Sequence, residues 1–269
     1  MSRVSTLVAG VLAWAGSSAA YRVLPGVAGS PRWQRTNHAG NPVTLLEGPA
    51  YVAGAALGAA AGGPAGVVAV LGSGAFGALD DLAGDGASKG LKGHLGAAAR
   101  GRVTTGLVKV AGIGATGLVA AALADRGRDD VHALDTLVGG AVVAGAANLA
   151  NLLDLRPGRA LKGTVLAALP LLLVGGGAAA PRAAAATGAA LGVLAPDLAG
   201  TAMLGDTGAN AAGALVGSAL LGATGRRGRL VTLVVLTALT LASEKVSFTS
   251  VIESTPGLRE LDAWGRPAR

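Results

Sequence analysis

The sequence predicts an all-α protein, a polytopic helical bundle with about nine transmembrane helices. Three observations support this fold class. Of the 269 residues, 51% are hydrophobic and only 14% are charged, and the mean hydropathy of +0.56 exceeds that of average soluble domains. The apolar residues form runs of helix length, separated by charged or Gly/Pro-rich breaks. Glycine contributes 45 residues, and small residues let membrane helices pack closely.

The helix boundaries follow from the breaks between these runs. We interpret the first run as an uncleaved helix rather than a signal peptide, because many further runs follow it. The apolar stretch from residue 46 to residue 79 is divided at AGGPAG, since Gly-Gly-Pro favours a turn over a kink. The predicted helices cover residues 4–22, 46–62, 64–79, 103–124, 132–153, 162–176, 183–199, 208–223 and 229–243.

The distribution of charge orients the predicted helices. The loops on one side carry roughly twice as many Lys and Arg residues as those on the other, which places that side in the cytoplasm. Residues 1–243 form the predicted transmembrane domain. Residues 244–269 form a cytoplasmic tail, whose apolar residues predict a partly amphipathic helix at the membrane surface.

Composition also excludes several classes of site. The chain has no cysteine, so a disulfide, a thiolate metal site and a cysteine nucleophile are all excluded. The net charge of +7 comes from cations that lie between apolar runs rather than in one patch. We therefore expect no nucleic-acid partner, and instead expect contacts with anionic lipid or phosphate.

The first polar cluster is ALDDLAGDGASKGLKGH, at residues 78–94. If the helix continues past Asp80, then Asp81 and Asp85 lie one turn apart on one face. Neighbouring carboxylates repel each other unless they share a cation or a proton, so they suggest a divalent metal or a general base. A solvated acidic loop is the alternative.

The second cluster is NLANLLDLRPGRALK, at residues 148–162. Asn148, Asn151 and Asp154 recur every three residues and form one stripe along a helix end. Polar groups inside a bilayer are candidates for function, although hydrogen bonds between helices would also explain the two asparagines. After a Pro-Gly turn come three cations that could hold phosphate oxygens or anchor the chain at the membrane, namely Arg156, Arg159 and Lys162.

Two more polar segments lie on the same predicted side. In MLGDTGANAAG, at residues 203–213, Asp206 immediately precedes a predicted helix and is either a ligand residue or a simple N-cap. The loop TNHAGNPVTLLEG contains Asn37 and is either part of a site or a connector. Oxygen ligands and cations that converge on one leaflet suit Mg²⁺ and a diphosphate.

The segments ALDDLAGD, NLANLLD and LGDTGANAAG, in this order, resemble the three hallmark motifs of a transferase superfamily, the polyprenyl-phosphate N-acetylhexosamine-1-phosphate transferases of glycosyltransferase family 4 type. This superfamily includes phospho-N-acetylmuramoyl-pentapeptide transferase and the GlcNAc-1-phosphate transferases. The resemblance extends from about Asn37 to the tail, where SEKVSFTSVIE, like the earlier segment KGLKGHLGAAARGRVTTGLVK, resembles a small bacterial subgroup.

The resemblance implies transfer of a sugar 1-phosphate from a UDP-sugar of the N-acetylhexosamine type to a polyprenyl phosphate, with release of UMP. It implies Mg²⁺ as cofactor, with Mn²⁺ as a substitute, and a multi-pass protein of the inner (plasma) membrane whose catalytic face is cytoplasmic. The product would serve cell-envelope glycan synthesis, including peptidoglycan. A homodimer is left open.

The resemblance also assigns roles to individual residues. The implied catalytic residues are Asp80, Asp81 and Asp154, and the implied metal ligands are Asn151, Asp154 and Asp206. The predicted substrate-binding residues are Asn37, Asp85, Lys89, Lys92, Asn148, Arg156, Arg159 and Lys162. Of these, Lys89 and Lys92 are implied by the resemblance, and the others follow from the polar segments described above.

Two departures from the family pattern keep an alternative open. DLRPGR replaces the family's DGxDG, and no histidine follows His132. The alternative is a catalytically weak member that serves as a membrane assembly or interaction protein. A transporter is disfavoured because the polar groups lie at one face rather than at the midplane.

Overall fold

The computed structural model describes residues 3–28, 31–37, 39–83 and 104–267. In these ranges the protein is all-α, apart from one antiparallel pair of three-residue strands, β1 (Gln34–Thr36) and β2 (Pro42–Thr44). The helices are α1 (Arg3–Ala28), α2 (Glu47–Ala59), α3 (Pro64–Ala83), α4 (Thr105–Asp125), α5 (Ala133–Leu153), α6 (Arg159–Val174), α7 (Ala179–Leu198), α8 (Gly205–Ala223), α9 (Arg226–Ser243), α10 (Phe248–Ser254) and α11 (Leu258–Ala263).

Each of the nine predicted segments coincides with one of the helices α1 to α9, so the all-α prediction is confirmed. In the part of the chain that the structure describes, four helices are long and apolar enough to cross a membrane: α1, α3, α4 and α5. A fifth span results if α9 and α10, which meet at a bend of 94°, are counted together. Membrane crossing by the remaining helices stays a prediction.

The division of the second and third helices at AGGPAG is confirmed. A single 3₁₀ turn, Ala60–Gly62, follows α2. Gly63 then adopts a φ of +86°, a conformation that side chains with a Cβ rarely allow. Pro64 opens α3, at a position where its missing amide hydrogen leaves no helical hydrogen bond unmade.

Helix α8 lies at the centre of the bundle and consists mainly of buried alanine and glycine. It packs against α3 and α5 at glycines. A Cβ on Gly77 would lie 2.2 Å from the carbonyl oxygen of Asp206, and a Cβ on Gly213 would lie 2.1 Å from that of Ala146. Only glycine permits backbones to approach this closely. The contact at Gly77 brings the end of α3 beside the beginning of α8.

Candidate active site

Two of the predicted acidic residues are joined by a lysine from a third helix. The Lys109 ammonium, on α4, donates hydrogen bonds of 2.7 Å to Oδ2 of Asp80 and 2.7 Å to Oδ2 of Asp206. The three side chains are between 17% and 23% exposed, so water only partly screens their charges. Lys109 lies within the predicted helix 103–124, and no functional role was predicted for it. A role could have been predicted, because an ionised side chain inside a membrane helix needs a partner.

Asp81 is bound to the beginning of α8. Its carboxylate accepts hydrogen bonds from the amides of Asp206 (3.0 Å) and Thr207 (2.8 Å), and from the Thr207 hydroxyl (2.6 Å). These amides belong to the first turn of α8, where no intrahelical acceptor exists and the helix dipole favours an anion. Asp81 therefore caps α8 from a neighbouring helix, and Asp206 is not the N-cap of that helix.

Asp154 ends α5 and is only 9% exposed. The Gly205 amide donates a hydrogen bond to it, and the charges of Asp197, Asp206 and Asp81 act on it. Burial, and after it the charge of Asp197, raises the pKa of Asp154 well above its ordinary value. Asp154, the acidic residue of the second motif, thus belongs to the same acidic cluster as Asp81 and Asp206.

A small pocket of about 60 Å³ lies beside Asp154. Three predicted site residues meet there, since Asn37 and Arg156 also line its wall. Asn37 shapes its own loop, because its Oδ1 accepts 2.9 Å hydrogen bonds from the amides of Ala39 and Asn41. Other lining residues are Pro157, Asp197 and Met203.

Two further buried carboxylates, which sequence analysis missed, border this cluster. Glu47 is fully buried, and neither of its carboxylate oxygens has a hydrogen-bond partner among the described residues. Asp197 is 2% exposed, and its Oδ2 likewise has no such partner in the described ranges. The charges of Asp197 and Asp154 act on Glu47. Glu47 is the lone glutamate in the apolar run 46–62, and on that ground it could have been predicted as a candidate functional residue.

The two asparagines of the predicted polar stripe make different contacts. Asn148 donates a 3.1 Å hydrogen bond to the Thr240 hydroxyl on α9, which is the interhelical bond considered as the alternative. Asn151 is half-buried, and its backbone carbonyl accepts the Asp154 amide at 3.1 Å. Ligand roles for the two asparagine side chains stay predictions.

The basic turn contacts the tail. Arg159 and Lys162 are buried and bind the segment around Asp262, while Arg156 forms an ion pair of 3.4 Å with Glu253. Their role in phosphate binding stays a prediction, and the tail competes for the donors of Arg159 and Lys162. The predicted residues Asp85, Lys89 and Lys92 lie outside the described part of the chain.

Of the predicted magnesium ligands Asn151, Asp154 and Asp206, Asp206 is paired with the Lys109 ammonium. Within the described ranges, no group of three or more histidine, aspartate or glutamate side chains is arranged to hold a metal ion. Carboxylate oxygens suit Mg²⁺. Asp206 shares that ammonium with Asp80, which was not among the predicted ligands.

Comparisons with known proteins add no relative: no family model matches the chain, and a search of curated proteins finds no match. The resemblance therefore depends on the three sequence motifs alone.

Proposed function

We propose that the chain is a transferase of the inner (plasma) membrane, which moves a sugar 1-phosphate from a UDP-sugar to a polyprenyl phosphate and releases UMP. The proposal places the site at the cytoplasmic ends of α3, α5 and α8. It assigns the chain to the polyprenyl-phosphate N-acetylhexosamine-1-phosphate transferases and its product to cell-envelope glycan synthesis.

One observation carries the proposal, namely that acidic residues from all three motifs lie in one cluster. Asp80 and Asp206 share the Lys109 ammonium, although they are far apart in sequence. Asp81 binds the amides of the Asp206 segment, and the charge of Asp154 adds to the same cluster. Buried carboxylates are costly unless a function or a partner retains them, and here they meet at helix ends.

The reaction joins two anions, so the site has to offset their repulsion. An oxygen of the polyprenyl phosphate attacks the phosphorus that bears the sugar, and the bond from that phosphorus to the UMP oxygen breaks. In our proposal Asp80 accepts the remaining proton of the lipid phosphate and orients the attacking oxygen, and Lys109 supplies positive charge beside it. Asp81 acts by fixing the start of α8.

Mg²⁺, or Mn²⁺ in its place, belongs to the proposal as the cofactor. Asp206, Asp154 and the Asn151 side chain would hold it, and when bound it would supply positive charge to the diphosphate. Because Lys109 pairs with Asp206, binding of the ion there would require the ammonium to turn away from that carboxylate.

The experiment measures UMP release by the purified protein in lipid, with polyprenyl phosphate, a panel of UDP-sugars, and Mg²⁺ or Mn²⁺. We expect Asp80→Asn and Asp154→Asn to lose activity, by about 10²-fold or more for a group used in the transition state. Asp129→Asn is the matched control, since Asp129 is exposed beyond the far end of α4. Full activity of both site variants would refute the site, and no UMP with any UDP-sugar would refute the function.

The second candidate function is a catalytically weak relative that serves in membrane assembly. Two contacts favour it: Lys109 lies between Asp80 and Asp206, and the tail engages Arg159 and Lys162. This candidate predicts no UMP from any UDP-sugar, together with a defined protein complex that survives purification in detergent.

A further inference from the structure

The tail docks through one buried ion pair. Arg159 opens α6 and binds Asp262 of α11 through both guanidinium edge nitrogens, with Nε to Oδ1 at 2.7 Å and Nη2 to Oδ2 at 2.9 Å. The two residues are 5% and 7% exposed. A third donor of Arg159 reaches the Thr249 hydroxyl of α10 at 2.8 Å. Two-pronged pairs of this kind fix orientation as well as distance.

Two more cations strengthen the same contact. The Lys162 ammonium donates to the backbone carbonyls of Leu261 (3.0 Å), Asp262 (2.5 Å) and Trp264 (3.1 Å), which end α11. Arg266 lies 3.0 Å from the Asp262 carboxylate and donates a 2.8 Å hydrogen bond to the carbonyl of Pro157. The tail therefore holds both the beginning of α6 and the turn before it.

That turn, residues 154–158, is also a wall of the site pocket. Asp154, Arg156 and Pro157 line the pocket. Gly158 adopts a φ of +72°, and its amide donates to the carboxylate of Asp197, which also lines the pocket. A five-residue turn thus has the pocket on one side and the docked tail on the other.

We infer that Asp262 is a positioning residue, which holds the 154–158 turn through Arg159 and Arg266 and thereby sets the position of Asp154 and the width of the pocket. The structural part of this inference stands on the contacts alone. Its consequence for catalysis rests on the proposed function.

The structural part can be tested without any substrate. Because the chain lacks cysteine, Ala202→Cys creates a single thiol on the pocket wall, at a position that is 1% exposed. In an Asp262→Asn background we expect N-ethylmaleimide to label this thiol about tenfold faster, because a buried charge pair has been broken. Glu260→Gln is the control, since it removes one charge from α11 but keeps an oxygen for the Gly257 amide. An unchanged labelling rate in Asp262→Asn would overturn the inference.

A second variant tests the same inference if Asp262→Asn folds poorly. Arg266→Gln removes the link to Pro157 and leaves the buried Arg159–Asp262 pair intact. We expect a smaller increase in labelling, about threefold, on the view that this outer contact is weaker than the buried pair. If Arg266→Gln and the wild type label equally, the tail does not hold the turn through Arg266, and that part of the inference is overturned.

The catalytic part is tested by UMP release. We expect Asp262→Asn to lower kcat about tenfold, with a smaller change in the KM for the UDP-sugar, and Asp262→Glu to restore most of the rate. A higher rate in Asp262→Asn would overturn the inference and identify the tail as an inhibitor. If the wild type releases no UMP, the proposed function fails, and the labelling experiment still decides the structural part.

Discussion

Replacing Lys109 with methionine removes the one cation that contacts both Asp80 and Asp206 among the described residues, and keeps a chain of similar length. Both ammonium–carboxylate distances are 2.7 Å. Losing one partner of a buried pair costs about 3–5 kcal/mol. The three side chains here are 17–23% exposed, so we expect the lower end, about 3 kcal/mol. For a chain of this size that lowers the apparent Tm by about 6–12 °C.

Adding Mg²⁺ tests whether a metal ion can replace the Lys109 ammonium as the cation beside these carboxylates. If Asp206, together with Asp154 and Asn151, then binds the ion, Lys109→Met should regain up to about 2.7 kcal/mol at a hundredfold excess over Kd. The wild type should gain less, because its ammonium already neutralises the same oxygens.

The assay is thermal unfolding of the purified protein in detergent, with and without Mg²⁺. Lys245→Met is the control, because Lys245 is an exposed residue just after α9. If Lys109→Met unfolds at the wild-type temperature, the Lys109 bridge carries no stability. If the loss appears but Mg²⁺ restores none of it, the Asp206 carboxylate does not hold the ion.

Three further predictions concern single carboxylates. Glu47→Met should raise the free energy of unfolding by about 1–3 kcal/mol, because it removes two buried oxygens that have no hydrogen-bond partner among the described residues; a lower Tm of this variant in thermal unfolding would contradict the prediction. Asp81→Ala should cost about 1–2 kcal/mol through loss of the α8 cap, and Asp81→Asn less, because its amide oxygen still accepts a hydrogen bond; equal unfolding temperatures of the wild type and Asp81→Ala would refute the cap. Burial alone would raise the pKa of Asp262, but the hydrogen bonds and charges of Arg159 and Arg266 outweigh it and hold this pKa below its ordinary value. The stability that this shift supplies is fully present above about pH 4 and is lost as the pH falls through the lower folded-state pKa. Limited proteolysis of the tail with pepsin should therefore accelerate below about pH 4 in the wild type, whereas Asp262→Asn should show no such step; a step in both proteins would contradict the assignment.

The site illustrates which residues could be predicted from sequence. Asp80, Asp154 and Asp206 were identifiable because charged residues at the ends of apolar runs are conspicuous, and their motifs resemble one family. Lys109 and Glu47 were equally conspicuous, but each is alone in its run, and nothing near it in sequence indicates a partner. The partners lie on other helices, so only the packing of α4 and α2 in the bundle reveals them.

The contacts of the tail could not be predicted from the sequence either. Its apolar residues indicated an amphipathic segment, and many of them are exposed on α10 and α11, among them Val251, Leu258 and Leu261. Arg159 and Lys162 looked like phosphate ligands because a basic turn beside an acidic helix end suits that role. The structure gives them internal acceptors around Asp262, about a hundred residues later in the chain.

The sequence by itself determined the helices, because its apolar runs have helix length and end at charged or Gly/Pro-rich breaks. It also determined the division at Gly63 and Pro64, a property of local backbone geometry. Only the tertiary structure decided which charges meet, because the partners in ion pairs such as Lys109–Asp206 and Arg159–Asp262 lie on different helices, about a hundred residues apart in sequence. Hydrophobic patterning is local in sequence and predicts helices, whereas the partner of a charged side chain is set by contacts between helices that are distant in sequence.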